Sequence, residues 1–127
     1  MASSMFSLFS ELKGKVYQKG DVIVRQGEEG QCMYVVASGK VEVLVQKGRK
    51  QVRMATLGPR DFFGEMAIFD SEKRSATVRA LGEVQTIVIE KKTFEDMVRY
   101  MPWLAFRVVE KMSRRIRELD RELVRHK

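Results

Sequence analysis

The rhythm of apolar and polar positions changes near residue 91. Before it lie short stretches that alternate or are rich in β-branched residues: Val22-Ile23-Val24, Cys32 to Ala37, Val41/Val43/Val45, and Val52/Met54. Glycines at 20, 30, 39, 48 and 58 separate them at intervals of ten, nine, nine and ten residues. Two more strands follow a break, Ser75 to Leu81 (Ala76, Val78 and Ala80 on one face) and Val84 to Glu90, with Gly82-Glu83 as the turn. Short strands at this spacing, punctuated by glycine, predict an antiparallel sandwich or barrel. From Lys91 the period becomes helical. Thr93 to Val98 reads as a short helix starting near Thr93, and Met101-Pro102 interrupts it. Proline suits the first turn of a new helix, which runs from about Pro102 to about Arg125. Along it, Val109, Met112, Ile116, Leu119 and Leu123 recur at intervals of three, four, three and four. A stripe this narrow favours pairing with a second helix over packing on the sheet. At the N-terminus, Phe6, Phe9 and Leu12 can face inward from one or two helical turns. The predicted fold is α+β, mainly β. It is an antiparallel jelly-roll-like β-barrel of about eight strands over residues 12–90. A short N-terminal helix precedes it, a short helix lies within a connection, and two C-terminal helices occupy 91–125. The whole of 1–127 reads as one domain.

Composition narrows the function. The 127 residues carry 44% apolar and 32% charged side chains, which excludes a disordered or fibrous chain. A chain of this length buries roughly two-thirds of its unfolded surface and needs no metal or disulfide staples. One cysteine excludes an internal disulfide framework. The longest apolar run, Cys32 to Ala37, is too short to span a bilayer, and the start Met-Ala-Ser-Ser-Met-Phe has no signal-peptide pattern, so a cytoplasmic protein is expected. The net charge is +7; between Arg107 and Lys127 eight basic residues face four acids, so +4 of it falls in the tail. A solvated helix surface accounts for this tail better than a nucleic-acid face. With no zinc-finger spacing and no RNA-binding aromatic motif, direct nucleic-acid binding is not expected. The single histidine, His126, excludes a His-cluster metal site, and Cys32 in its apolar run reads as an inert thiol rather than a nucleophile. Neither a metal nor an enzymatic activity is expected.

The candidate chemistry lies in the connection from Phe62 to Thr77. Glu65 to Phe69 can form one or two helical turns, and Gly64 lets a ligand approach the backbone closely. The first N–H groups of a helix lack internal partners and favour anions. Arg74 follows with a planar, permanently charged fork suited to phosphate oxygens. Ser75 adds a hydroxyl donor and Ala76 a backbone N–H. Ionised Glu65 only accepts hydrogen bonds, so it suits a sugar hydroxyl rather than a phosphate. These residues together fit a small ligand with a compact anion and hydroxyls, such as a phosphorylated ribose. Each has an ordinary structural alternative: a lone arginine on the surface, or an ion pair between Glu65 and Arg74.

Phe63-Gly64-Glu65-Met66-Ala67 followed by Arg74-Ser75-Ala76-Thr77-Val78 resembles the phosphate-binding cassette of cyclic nucleotide-binding domains, placed here at 63–77. Gly20-Asp21, Gln26-Gly27-Glu28, Met33 to Val36 and Ser38 to Val41 resemble the strand-and-turn pattern of the same family. The likeness covers about residues 12–120 and is nearest to the sensor domain of bacterial catabolite activator-type (Crp/Fnr) regulators. The resemblance implies that Arg74 and the N–H groups at the start of the short helix hold a cyclic phosphate. It implies that Glu65 and the backbone around Gly64 take the ribose 2′-hydroxyl, and that Ser75 touches phosphate or base. It further implies that the long C-terminal helix closes over the base and pairs with its twin in a homodimer. Activator-type sensors for cAMP place a Thr-Ser pair on that helix, whereas an ungapped alignment puts Leu119-Asp120 there. Leu119 can cap a base, and Asp120 can accept from the adenine amino group or from two guanine donors. Arg115 is open to two readings, contact with Glu65 or the base, or a solvated charge. The expected ligand is cAMP (or cGMP), with cAMP favoured. Activator-type regulators continue into a helix-turn-helix domain, which is not in this sequence, so an output domain or downstream protein is an expected partner. The competing reading is a basic helical dimer that binds nucleic acid or a partner protein without a cyclic nucleotide.

Overall fold

The computed structural model describes residues 12–69, 73–103, 105–107, 109–111 and 113–114. Eight strands occupy the first ninety residues: β1 (Lys13–Tyr17), β2 (Val22–Val24), β3 (Cys32–Ser38), β4 (Val41–Lys47), β5 (Lys50–Leu57), β6 (Phe62–Phe63), β7 (Thr77–Ala80) and β8 (Val84–Glu90). Helix α1 (Met66–Phe69) lies between β6 and β7, and α2 (Lys91–Tyr100) follows β8 without a break. The strands form two four-stranded sheets, ordered β1-β8-β3-β6 and β2-β7-β4-β5. Every pairing is antiparallel.

The two sheets share one core. Tyr17, Val36, Phe63 and Val84 come from the first sheet, and Val24, Val41, Leu57, Val78 and Ala80 from the second. Alternation on β3 places Cys32, Tyr34 and Val36 on one face and Met33 on the other. The predicted mainly-β fold is the one observed, with the barrel built as two facing sheets. Two strands carry no sequence signal of their own. β1 (KGKVY) has a single buried side chain, and β6 is only the Phe62-Phe63 pair. Tertiary pairing makes both: β1 with β8, β6 with β3. Val52 and Met54, predicted to share a strand face, are exposed on β5.

The chain divides into two compact units, residues 1–94 and 95–127. In the first, α2 starts at Lys91, two residues ahead of the predicted start, and Thr93 and Phe94 are buried. In the second, Met97 and Met101 are buried, and the Met101 N–H donates to the Met97 carbonyl at 2.6 Å. Helical backbone resumes at Pro102, as predicted, and is seen at 102–103, 105–107, 109–111 and 113–114. Glu110 and Arg114 pair across one turn of it at 3.3 Å. Of the predicted seam only Val109 is among the described side chains, and it is 55% exposed. The N-terminal helix expected around Phe6 and Phe9 lies outside the described residues, as do Arg115, Leu119 and Asp120. No helix of the described residues is long and apolar enough to cross a membrane.

Candidate functional site

The site is built on the Phe62–Thr77 connection and on the β2–β3 loop opposite it. Phe63 on β6 is buried, and its ring stacks on Tyr34 of β3 at 5.1 Å between centroids, 11° from parallel. Gly64 then turns the chain with φ +82, a conformation that costs a side-chain-bearing residue dearly. Glu65 follows, 2% exposed, and α1 makes one turn with Ala67 and Ile68 buried and Met66 and Phe69 exposed. Phe69 anchors this turn edge-on to Phe94, 5.4 Å away at 81°. The Ala67 N–H donates to the Gly64 carbonyl and the Ile68 N–H to the Glu65 carbonyl. Those two donors are therefore spent inside the turn. This narrows the helix-start contribution expected from the sequence to the donors ahead of Ala67.

Arg74 is the centre of the arrangement. Its backbone is strapped to the β2–β3 loop by a reciprocal pair, Arg74 N–H to the Glu28 carbonyl and Gly27 N–H to the Arg74 carbonyl, each 2.8 Å. Next to this strap, the Gln26 N–H donates to Thr77 Oγ1 at 3.0 Å. The guanidinium, on a residue only 8% exposed, donates through Nη1 to the Gly64 carbonyl (3.1 Å) and through Nη2 to the Cys32 carbonyl (2.8 Å). Nη2 also lies 3.7 Å from Cys32 Sγ, and the guanidinium carbon sits 5.9 Å from the Tyr34 ring centroid. None of these acceptors is charged. Burial pushes the Tyr34 phenol above its ordinary range; the neighbouring Cys32 thiol adds to the shift and the Arg74 charge opposes it.

Two glycines make room for this seat. A Cβ on Gly30 would fall 2.4 Å from Arg74 Nη2, and one on Gly64 would fall 2.5 Å from Nη1. Sequence reasoning named Gly64 but missed Gly30, Cys32, Tyr34 and the Gly27-Glu28 strap. The regular glycine spacing marked Gly30 only as a turn. Nothing local says that an arginine 44 residues later lies across it.

The structure thus brings Phe63, Gly64, Glu65, Met66, Ala67, Arg74, Ser75 and Ala76 into one connection, with Ser75 exposed and Ala76 half-buried. Among the described residues, no group of three or more His, Cys, Asp or Glu side chains forms a potential metal site.

The chain is thus a two-sheet β module with a single-turn helix and a buried arginine between two strands. The comparisons make the class specific. The cyclic nucleotide-binding domain model matches residues 14–100, and the chain belongs to that family. It is 34% identical over 115 residues to the cyclic AMP receptor protein of Thermus thermophilus, an alignment covering 90% of this chain and 53% of that protein. It is 40% identical over 94 residues to a cGMP-dependent protein kinase of Eimeria tenella, covering 73% of this chain and 9% of the kinase. In structure it is similar to the Thermus thermophilus catabolite activator protein, with a TM-score of 0.84 at 31% identity over 97% of this chain and 58% of the other. The chain therefore spans about half the length of the receptor it matches and a small fraction of the kinase.

Proposed function

We propose that this chain is a cyclic nucleotide sensor module that binds cAMP in preference to cGMP and passes the binding event to its C-terminal helices. The observation that carries the reading is the Arg74 seat: a nearly buried cation whose hydrogen-bond acceptors among the described residues are all neutral. Burying a charge without a counter-charge is costly, so such a site is poised for an anion. Nη1 and Nη2 together spend two of the five guanidinium donors on main-chain carbonyls and turn a third to Cys32 Sγ, and the two that remain suit phosphate oxygens. Glu65, Gly64, Phe63, Met66, Ala67, Ser75 and Ala76 make up the rest of the proposed pocket, with Glu65 on the ribose hydroxyl. Arg115, Leu119 and Asp120 are assigned to the base side by the family resemblance. The preference for cAMP draws on the likeness to a receptor whose name states that ligand. The likeness to a kinase named for cGMP sets the competing specificity.

Output is proposed to run through a homodimer formed by the repeat at Val109, Met112, Ile116, Leu119 and Leu123. Ligand can shift that element only by binding one of its arrangements better than another. The site itself has no catalytic role in this reading, and the module works as a binding domain in the cytoplasm. Calorimetric titration with cAMP and cGMP tests the proposal. Saturable binding of cAMP, tighter than that of cGMP and lost in Arg74→Ala, is the expected result. No binding of either nucleotide at millimolar concentration overturns it and leaves the basic dimer as the reading.

A further inference from the structure

A local excess of positive charge lies on the β4–β5 hairpin. The hairpin, residues 41–57, contains Lys47, Arg49, Lys50 and Arg53 against the single acid Glu42, a net +3 in a chain of net +7. Arg53 is tied down, because Glu42 accepts from it at 3.0 Å. The other three at the tip, Lys47, Arg49 and Lys50, are exposed. Lys47 and Lys50 face each other across the strand pair, with only Gly48-Arg49 between them. Like charges directly opposite on antiparallel strands destabilise the hairpin. A turn that sets two lysines opposite each other, with a third cation between them, breaks this local rule, and such a break is a mark of function.

The same hairpin ends its sheet. β5 is the last strand in the order β2-β7-β4-β5, and among the described residues it pairs with β4 alone. It is eight residues long, and all but Leu57 are exposed. A long exposed edge is a template for an added strand. The cations decide which strand. A second copy of β5 would lay lysine and arginine against lysine and arginine, whereas an extended acidic segment would satisfy the edge amides and the tip charges together.

We propose that the β5 edge and the Lys47–Lys50 tip form a docking surface for an extended acidic segment of a partner protein, added as a fifth strand to the second sheet. The backbone edge supplies the hydrogen bonds, and Lys47, Arg49 and Lys50 select for acidic side chains.

The test uses the full chain and a capped peptide of alternating glutamate and valine, eight residues long, with an alternating lysine and valine peptide as the control. NMR titration and amide hydrogen exchange are read at low and at physiological salt. The expected result is saturable binding of the acidic peptide, weakened by salt, with slowed exchange confined to Lys50–Leu57 and the facing β4 amides. The triple variant Lys47→Glu/Arg49→Glu/Lys50→Glu is expected to lose about tenfold or more in affinity, since exposed ion pairs contribute a few-fold each. All three positions are at the surface, and an unchanged thermal midpoint of the variant shows that it folds. A duplex DNA arm completes the design. The proposal is overturned by any of three results: no acidic-peptide binding, binding without protection of β5, or DNA binding tighter than peptide binding with no protection of β5.

Discussion

Two buried charges in the first unit obey opposite rules. Glu42 on β4 is 5% exposed, and each of its oxygens is held by one arginine. Arg53 reaches Oε1 through Nε and Nη2, both at 3.0 Å, and Arg79 reaches Oε2 through the same two atoms at 2.9 Å. Arg74 is nearly as buried, at 8%, yet its guanidinium is met by carbonyls, a thiol and an aromatic face. The first charge is compensated within the fold. The second is positioned by the fold, with no ion pair to it among the described residues. On the proposed function, the contrast separates a structural charge from one held for a ligand, and it separates what mutation at each should do.

The largest effect is expected from Arg74→Ala. If the seat holds a phosphate, the variant loses cyclic nucleotide affinity by about hundredfold, the equivalent of about 3 kcal/mol for hydrogen bonds to a charged partner. Its melting temperature without ligand should fall little or rise, because a buried cation with no ion pair among the described residues has been removed. Calorimetry paired with a thermal melt checks both. A large loss of stability with unchanged affinity would make Arg74 a structural residue like Glu42 and erase the distinction.

Gly30→Ala sharpens the same point without touching the charge. The added methyl would occupy the place of the guanidinium nitrogens, so the side chain must swing away from the Cys32 carbonyl. Misplacing a preorganised group weakens binding, here by about tenfold, or about 1.4 kcal/mol. Titration of the variant with cAMP, at unchanged melting temperature, is the check. Unchanged affinity would show that the observed seat is not the binding position.

How much of this was legible in the sequence depends on how far each interaction reaches. Val22 to Val24, Cys32 to Ser38 and Val84 to Glu90 announce themselves because side-chain alternation is local. β1 and β6 do not, since β8 and β3 make them strands by pairing. In the site, Gly64, Glu65 and Arg74 stand close enough in sequence to be read as a group. The Gly30 shelf and the Cys32 acceptor lie more than forty residues before Arg74 and become visible only once β3 is beside the connection. The Glu42 clamp was hidden for a further reason. An acid at an alternating position on β4 reads as solvent-facing, and only the register that sets Glu42 beside Arg79, with Arg53 opposite Leu44, buries it.

Glu42→Gln is expected to act on stability and leave nucleotide affinity alone. Removing the carboxylate leaves two arginines without their shared anion. Breaking a fully buried pair costs about 3–5 kcal/mol. The two arginine side chains are 55% and 39% exposed, so water recovers much of the loss and about 1–2 kcal/mol remains. Urea unfolding of the wild type and the variant measures it. A binding defect in this variant, at unchanged stability, would break the comparison from the other side.

The smallest effect is the pH dependence of that clamp. Burial alone would push the Glu42 carboxyl up, but the hydrogen bonds and charges of Arg79 and Arg53 outweigh it and hold the pKa below its ordinary value of 4.5. A carboxyl with a depressed pKa in the folded state binds its proton more readily when unfolded, so it stabilises the fold above the unfolded pKa. That contribution is fully present at neutral pH and is lost as pH falls below about 4.5 toward the folded pKa. The stability gap between wild type and Glu42→Gln should therefore be constant from pH 7 to about pH 5 and narrow below it. Urea titrations at half-unit steps through this range read the gap directly. A gap that stays constant into acid would mean that Glu42 is not held as a carboxylate by its two arginines, and that the clamp rests on packing instead of charge.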